Sequence, residues 1–152
     1  MDLFTFRVGD RIFSVDVMKV MRVKKKSAVN VRDIPNVPEY ILGIADVDGM
    51  LVTIIDIRKI FKKSSENTKE RIIIVNTKED SFLGLLVDDI YEVVYLDESE
   101  LKPPPPPIKE NLGRIVSGLF SHKNDMVILL DPVALETEYK KAVDFNIDSF
   151  VK

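Results

Sequence analysis

Apolar and polar side chains alternate from the first residues. Phe4, Phe6 and Val8 alternate with polar neighbours, Gly9-Asp10 interrupts, and Ile12, Phe13 and Val15 resume, which predicts a β-hairpin. From Asp16 the spacing changes. Val17, Val20 and Met21 stand at i, i+3 and i+4, which suits a short helical turn with one apolar face. Lys24-Lys25-Lys26-Ser27 reads as a solvated break. In Ile34-Pro35-Asn36-Val37-Pro38 each proline fixes its own φ and pushes its predecessor towards extended geometry, so the stretch is a stiff connector. Residues 39–43 lead into a hairpin turning at Asp48-Gly49. Residues 57–61 predict a short helical turn, and residues 62–69 a polar loop.

The second half repeats the first. Residues 72–75 read as a buried strand, 78–80 as a turn and 82–87 as a strand in which Gly84 admits a close neighbour. Gly43 is followed thirteen positions later by Asp56, and Gly118 thirteen positions later by Asp131. Asp48-Gly49 and Lys123-Asn124 mark tight turns at the same depth, because Gly and Asn tolerate positive φ. Residues 88–93 match residues 18–23 at an offset of 70, against 75 for the glycines. The difference lies between Val93 and Gly118, an interval that holds the proline run 103–107. That run reads as a rigid polyproline II connector in the slot that residues 34–38 fill earlier, rather than as a ligand for an SH3 or WW groove. A period of about 75 residues is too long for a solenoid. It fits one small β-subdomain built twice and packed against itself, with a first repeat over about 4–68 and a second over about 69–135 within a single domain, 1–152. Pro132 suits the first position of a helix reaching about residue 143. Phe145, Ile147 and Phe150 then dock on the core or on a partner.

Composition narrows the chemistry. Lys plus Arg is 22 and Asp plus Glu is 25, a net charge of −3. That balance argues against nucleic acid as a partner, which needs a strongly basic face. The absence of cysteine excludes disulfides, zinc–thiolate sites and cysteine nucleophiles. Residues 1–7 alternate like a strand and lack a basic start, so no signal peptide is expected. No apolar run approaches the length of a membrane helix, and a cytoplasmic location follows as the expectation. His122 is the only histidine and falls in a turn as an exposed loop residue. The carboxylate pairs Asp46/Asp48, Asp88/Asp89 and Glu98/Glu100 fall at strand ends and turns, where solvation is their ordinary state. Asp-x-Asp-Gly at 46–49 lacks the downstream glutamate of a calcium loop, and the scattered glycines form no phosphate loop. Catalytic residues, metal ligands and cofactors are therefore not expected.

Gly43-x-x-Asp46-x-Asp48-Gly49 followed by Thr53-Ile-Ile-Asp56-Ile-Arg58 resembles the signature stretch of CheW-type chemotaxis coupling proteins, Gly-x-x-Asn-x-Arg-Gly and then Pro-Val-x-Asp-Leu-Arg. Val20-Met-Arg-Val23 and Ile34-Pro35-x-x-Pro38 resemble the segments upstream. Val87-Asp-x-Ile90, the proline stretch, Gly118 and Leu129-Leu-Asp131 extend the likeness over nearly the whole chain. The resemblance implies an all-β fold of two five-stranded SH3-like barrels packed pseudo-symmetrically, with short helical turns and a C-terminal helix. It implies a non-enzymatic adaptor that joins the cytoplasmic tips of chemoreceptors to the regulatory domain of a CheA-type histidine kinase, without inserting into the membrane. Val20, Ile44 and Val47 are the candidates for lining an apolar trough that receives a helical tip. Arg22, Gly43, Asp46, Asp48 and Gly49 complete the candidate partner surface, while Asp56, Arg58, Gly118 and Asp131 are expected to be structural. The contrasting readings are a CheW paralogue with a different partner, and a small-ligand or oligonucleotide-binding barrel.

Two departures stand out. The family's Asn and Arg are Asp46 and Asp48 here, and Arg22 stands where the family carries Glu. The family's Glu–Arg pair would become Arg22–Asp48, with both signs reversed and the attraction retained. Such an exposed pair contributes little to stability, so its expected consequence is specificity: ordinary receptor tips should bind weakly.

Overall fold

The protein is described by a computed structural model covering residues 1–64 and 69–151. Its strands are β1 Asp2–Val8, β2 Arg11–Asp16, β3 Val20–Lys25, β4 Ile41–Val47, β5 Met50–Asp56, β6 Arg71–Asn76, β7 Phe82–Val87, β8 Asp89–Tyr95, β9 Val116–His122 and β10 Asp125–Leu130. Three helices, α1 Ile57–Ile60, α2 Pro106–Leu112 and α3 Pro132–Val151, accompany them. The turns Asp48-Gly49 (φ 52° and 84°) and Lys123-Asn124 (φ 49° and 68°) carry positive φ at both positions. That handedness matches strand twist and fixes the β4–β5 and β9–β10 registers.

The strands form two five-stranded sheets, in the orders β8-β1-β2-β10-β9 and β3-β6-β7-β5-β4. The two orders superimpose strand for strand when the chain is shifted by one repeat. Repeat and barrel are nevertheless different units. One barrel takes β3, β4 and β5 from the first repeat and β6 and β7 from the second. The other takes β1 and β2 from the first and β8, β9 and β10 from the second. Each repeat thus lends its opening hairpin to the other's three strands, through the parallel pairings β2–β10 and β5–β7.

That exchange explains the cores. Val52, Ile54, Ile72, Ile74 and Leu86 fill one barrel, and Leu3, Val94, Phe120, Val127 and Leu129 fill the other. A third cluster joins residues of both barrels, among them Phe6, Phe13, Val15, Ile55, Ile73, Val75, Leu83 and Leu85. The run 72–75 is apolar throughout because its two faces enter two cores: Ile72 and Ile74 point into the barrel, Ile73 and Val75 between barrels.

Close backbone approaches account for the repeated glycines. Arg32 bridges Ile44 on the outer side of β4, and Lys102 bridges Leu119 on the outer side of β9. A Cβ on Gly43 would collide with the Arg32 carbonyl, and one on Gly118 would lie 2.7 Å from Lys102 O. The aspartates are helix caps. Asp56 accepts the Arg58 N–H at 3.0 Å, and Asp131 accepts the Val133 N–H at 3.0 Å.

Four local expectations are corrected. The helical spacing at 17–21 yields only a 3-10 turn, Val17–Lys19, capped by Asp16. Val20 then joins the ladder opposite Val75 of β6, so Lys24 and Lys25 are strand residues rather than a break. The proline run is only partly an extended connector. Pro105 is extended at φ −65° and ψ 158°, and the run then turns into α2. Pro106 and Pro107 occupy its first positions, where a missing N–H costs no helical bond. Asp88 is not a solvated partner of Asp89, because its side chain is fully buried. Residues 65–68 of the expected polar loop lie outside the described residues, as do the side chains of Phe145, Ile147 and Phe150.

Asp88 sits where the chain passes from β7 in one barrel to β8 in the other. Its carboxylate accepts the Gly9 N–H at 2.6 Å and lies 3.1 Å from Arg58 Nη1 and 3.9 Å from Arg7 Nη1. Arg58 also binds Asp56 at 2.9 Å and Glu70 at 2.8 Å. These carboxylates hold its guanidinium protonated, raising its pKa against the opposing effect of burial. Helix α3 makes a second tie between the barrels. Leu135 and Tyr139 enter the inter-barrel core. Buried Glu136 accepts hydrogen bonds from Thr77 and Ser81, each 2.6 Å away, next to the β6–β7 turn. Glu136→Ala removes a charged acceptor from two hydroxyls and is expected to cost about 2 kcal/mol in urea unfolding. A change within error would mean that α3 is held by its apolar face alone.

Candidate functional site

β3 and β8 are the corresponding strands of the two barrels and the corresponding sheet edges, each paired on one side only, with β6 and β1 respectively. Their outward side chains are apolar at matching positions. Met21 and Val23 are 44% and 38% exposed, and Tyr91 and Val93 are 42% and 52% exposed. The hairpins add a third matched pair, Leu51 on β5 and Met126 on β10, both exposed. Scattered exposed apolar residues are ordinary on a protein surface. These three pairs instead recur at repeat-equivalent positions of the two barrels.

A charged clasp stands beside each face. Asp48 Oδ2 lies 3.4 Å from Arg22 Nε and 3.0 Å from Lys24 Nζ, which ties the β4–β5 turn to the edge strand β3. The equivalent clasp in the other barrel joins Glu92 on β8 to Lys123 at 3.1 Å and His122 at 3.2 Å, at the β9–β10 turn. The polarity is opposite: cations on the strand and an anion in the turn at one barrel, an anion on the strand and the Lys123 cation in the turn at the other. Hydrogen bonding and attraction from Lys24, then from Arg22, hold the Asp48 carboxyl below its usual range. Lys123, then His122, do the same for Glu92. Both clasps are therefore intact at neutral pH and are lost as pH falls through these lowered values. Carboxyl NMR titration should place both midpoints below the ordinary range. Lys24→Ala should return Asp48 further towards its usual value than Arg22→Ala does; the reverse order would assign the clasp to Arg22.

The other predicted site residues divide. Val20 is half-buried against the inter-barrel core, and Ile44 is half-buried on β4 beside Arg32. Val47 is 4% exposed and points into its barrel, which removes it from any trough lining. Asp46 accepts the Gly49 N–H at 3.0 Å, so its carboxylate shapes the turn. Gly43 lies beneath the Arg32 crossing, and Gly49 forms the turn itself. Gly118, Asp56, Arg58 and Asp131 hold the backbone and the barrel junction, as described above. Sequence reading missed Lys24, taken for a solvated break, and the Glu92–Lys123 clasp. The signal for the latter was present, since the offsets of 70 and 75 carry Arg22 and Asp48 onto Glu92 and Lys123.

The family model for the CheW-like domain matches residues 2–139. The "Probable chemotaxis protein CheW" of Rhizobium etli is 30% identical over 145 residues, covering 93% of this chain and 92% of that one. "Chemotaxis protein CheW" of Rhizobium meliloti is 26% identical over 131 residues, covering 86% and 83%. Among solved structures, that of the scaffolding protein TtCheW from Thermoanaerobacter tengcongensis superimposes with a TM-score of 0.74 at 30% identity, covering 85% of this chain and 87% of that one.

Proposed function

The chain belongs to the CheW-like domain family, and from that membership we propose that it is a non-enzymatic adaptor coupling chemoreceptors to a CheA-type histidine kinase. The observation that carries this reading is the recurrence of exposed apolar side chains at equivalent positions of the two barrels, Met21, Val23 and Leu51 on one and Tyr91, Val93 and Met126 on the other. An adaptor needs two docking faces held at a fixed separation. The exchanged hairpins and the inter-barrel core supply the rigidity. One barrel takes the kinase regulatory domain, and the helical receptor tip lies near the other, against Val20 and Ile44 with Arg22, Gly43, Asp46, Asp48 and Gly49 around them. A helix seated in a groove needs apolar contacts of that kind. The place of action is the cytoplasm. No described helix is long and apolar enough to cross a membrane.

The Asp48 clasp bears on the choice of receptor. A partner shaped for an arginine at this turn meets a carboxylate already engaged by Arg22 and Lys24. On this reading the chain serves a divergent array, or is a paralogue with its own partner. A binding titration against the cognate kinase regulatory domain and against a typical receptor tip tests both parts. The kinase domain should bind wild type, Asp48→Arg and Arg22→Glu/Asp48→Arg alike. The typical tip should bind wild type weakly and gain about tenfold in the double variant, which restores the family's polarity. The single variant sets a third cation beside Arg22 and Lys24 and should gain less. Full-strength binding of the typical tip by wild type would refute the specificity reading, and no binding of the kinase domain would refute the adaptor reading.

A further inference from the structure

Two hollows lie side by side along α3 and share Gly113 and Glu138 as a common wall. The first, of about 430 Å³, is floored by Tyr40, Ile60, Leu112, Ile115 and Leu135, where α1, α2 and α3 meet the inter-barrel core. Tyr40, Ile60 and Leu112 are only half-buried, so this floor still meets solvent. The second hollow, of about 540 Å³, is bordered by Lys78 of the β6–β7 turn, Arg114 and Lys141. All three cations are exposed. Lys141 reaches Glu138 only at 3.8 Å, and Lys78 and Arg114 make no ion pair among the described residues. Asp131, on the same wall, caps α3 by accepting the Val133 and Ala134 N–H groups. A chain of net charge −3 thus gathers cations beside an apolar floor, away from β3 and β8.

We infer that this trough along α3 holds an acidic peptide segment of a partner protein, with one large apolar side chain on the Tyr40–Leu135 floor and carboxylates against Lys78, Arg114 and Lys141. Charge complementarity selects an acidic segment, since a basic one would bring its cations against three others. The trough is open along its length, with Lys78, Gly113, Arg114, Thr137 and Glu138 all exposed. That suits a length of chain better than a small ligand, whose site would enclose most of its surface. The direction is fixed as well. The apolar anchor lies at the α1–α2 end and the acids at the β6–β7 turn. Glu138 stands between them and calls for an uncharged residue there. Burial, and then Glu138, raise the pKa of the Tyr40 hydroxyl, which therefore remains a donor for a peptide carbonyl. The inference does not rest on the adaptor reading, whose partner surface shares no residue with this trough.

The probe is the unlabelled peptide Phe-Gly-Asp-Glu-Asp-Glu, titrated into the full chain and followed by amide NMR at low and at high salt. Wild type should show saturable shifts at Lys78, at residues 112–115 and at residues 134–141, and salt should weaken the binding through screening. Lys78→Glu/Arg114→Glu changes two exposed positions and should weaken binding by about tenfold or more. Replacing the peptide's phenylalanine by glycine should cost a similar factor, and Phe-Gly-Lys-Arg-Lys-Arg should not bind wild type. Circular dichroism checks that the variant is folded. An absence of saturable shifts would overturn the inference. So would shifts confined to β3 or β8, or equal binding by wild type and the double variant. Decyl phosphate binding in the trough where the acidic peptide does not would assign the site to a small anionic amphiphile and overturn it too.

Discussion

Arg58→Ala should cost about 3–5 kcal/mol of unfolding free energy, a large share of the roughly 5–15 kcal/mol that holds a domain of this kind together. The reason lies in what remains after truncation. Asp88 is fully buried, and truncation takes away its Arg58 contact at 3.1 Å while leaving the Gly9 amide at 2.6 Å and the more distant Arg7 at 3.9 Å. Asp56 and Glu70, at 2.9 and 2.8 Å from the same guanidinium, lose their cation as well. Breaking a buried pair by removing one partner is far more harmful than never having had it. Arg58→Lys keeps the charge but not the planar fork that reaches three carboxylates, and should fall between the two. Urea unfolding monitored by circular dichroism reads all three proteins. A loss of less than about 1 kcal/mol for the alanine variant would mean that water reaches Asp88 once the arginine is gone.

Gly43→Ala is the second large effect, expected above about 3 kcal/mol. A Cβ there would overlap the Arg32 carbonyl, lying 2.7 Å even from its carbon, and would meet Val31 Cγ1 at 3.0 Å. The obstacle is backbone held by the reciprocal Arg32–Ile44 hydrogen bonds of 2.8 and 2.9 Å, so it cannot swing away like a side-chain tip. A φ of +149° adds a conformation that alanine avoids. The repeat supplies its own controls. Gly118→Ala meets Lys102 O at 2.7 Å without the φ penalty and should cost less. Gly49→Ala has open space around it and only a φ of +84° against it, for about 1–2 kcal/mol. Thermal or urea unfolding should give the order Gly43, Gly118, Gly49. An equal cost at Gly43 and Gly49 would show that conformation, not the crossing chain, conserves stability at this position.

These glycines mark what could be read without a structure. Asp48-Gly49 and Lys123-Asn124 announce their turns because few residues accept positive φ. Asp56 and Asp131 announce caps because each stands between an apolar strand and a helical run. The two-barrel fold was legible through the repeat and the family likeness. The misreadings came where tertiary pairing decides the outcome. Val17, Val20 and Met21 have helical spacing, yet β6 supplies ladder bonds that a lone helical turn lacks. Lys24 looks like a solvated lysine until the fold brings Asp48 to it. Asp88 looks like half of a surface pair until Arg58 arrives from another element. The exchange of hairpins between repeats could not be read locally, because it depends on β2–β10 and β5–β7 pairings between distant segments.

On the proposed function, two rigid docking faces act in place of a reactive centre. Reconstitution tests it most directly: phosphorylation of the cognate CheA-type kinase is followed with receptor tips and this chain added singly and together. The chain alone, or with either partner alone, should leave phosphorylation at its basal level, and only the three together should change it strongly. Phosphate transfer or hydrolysis by the chain on its own, or a three-component rate no different from that of kinase and receptor alone, would contradict the account.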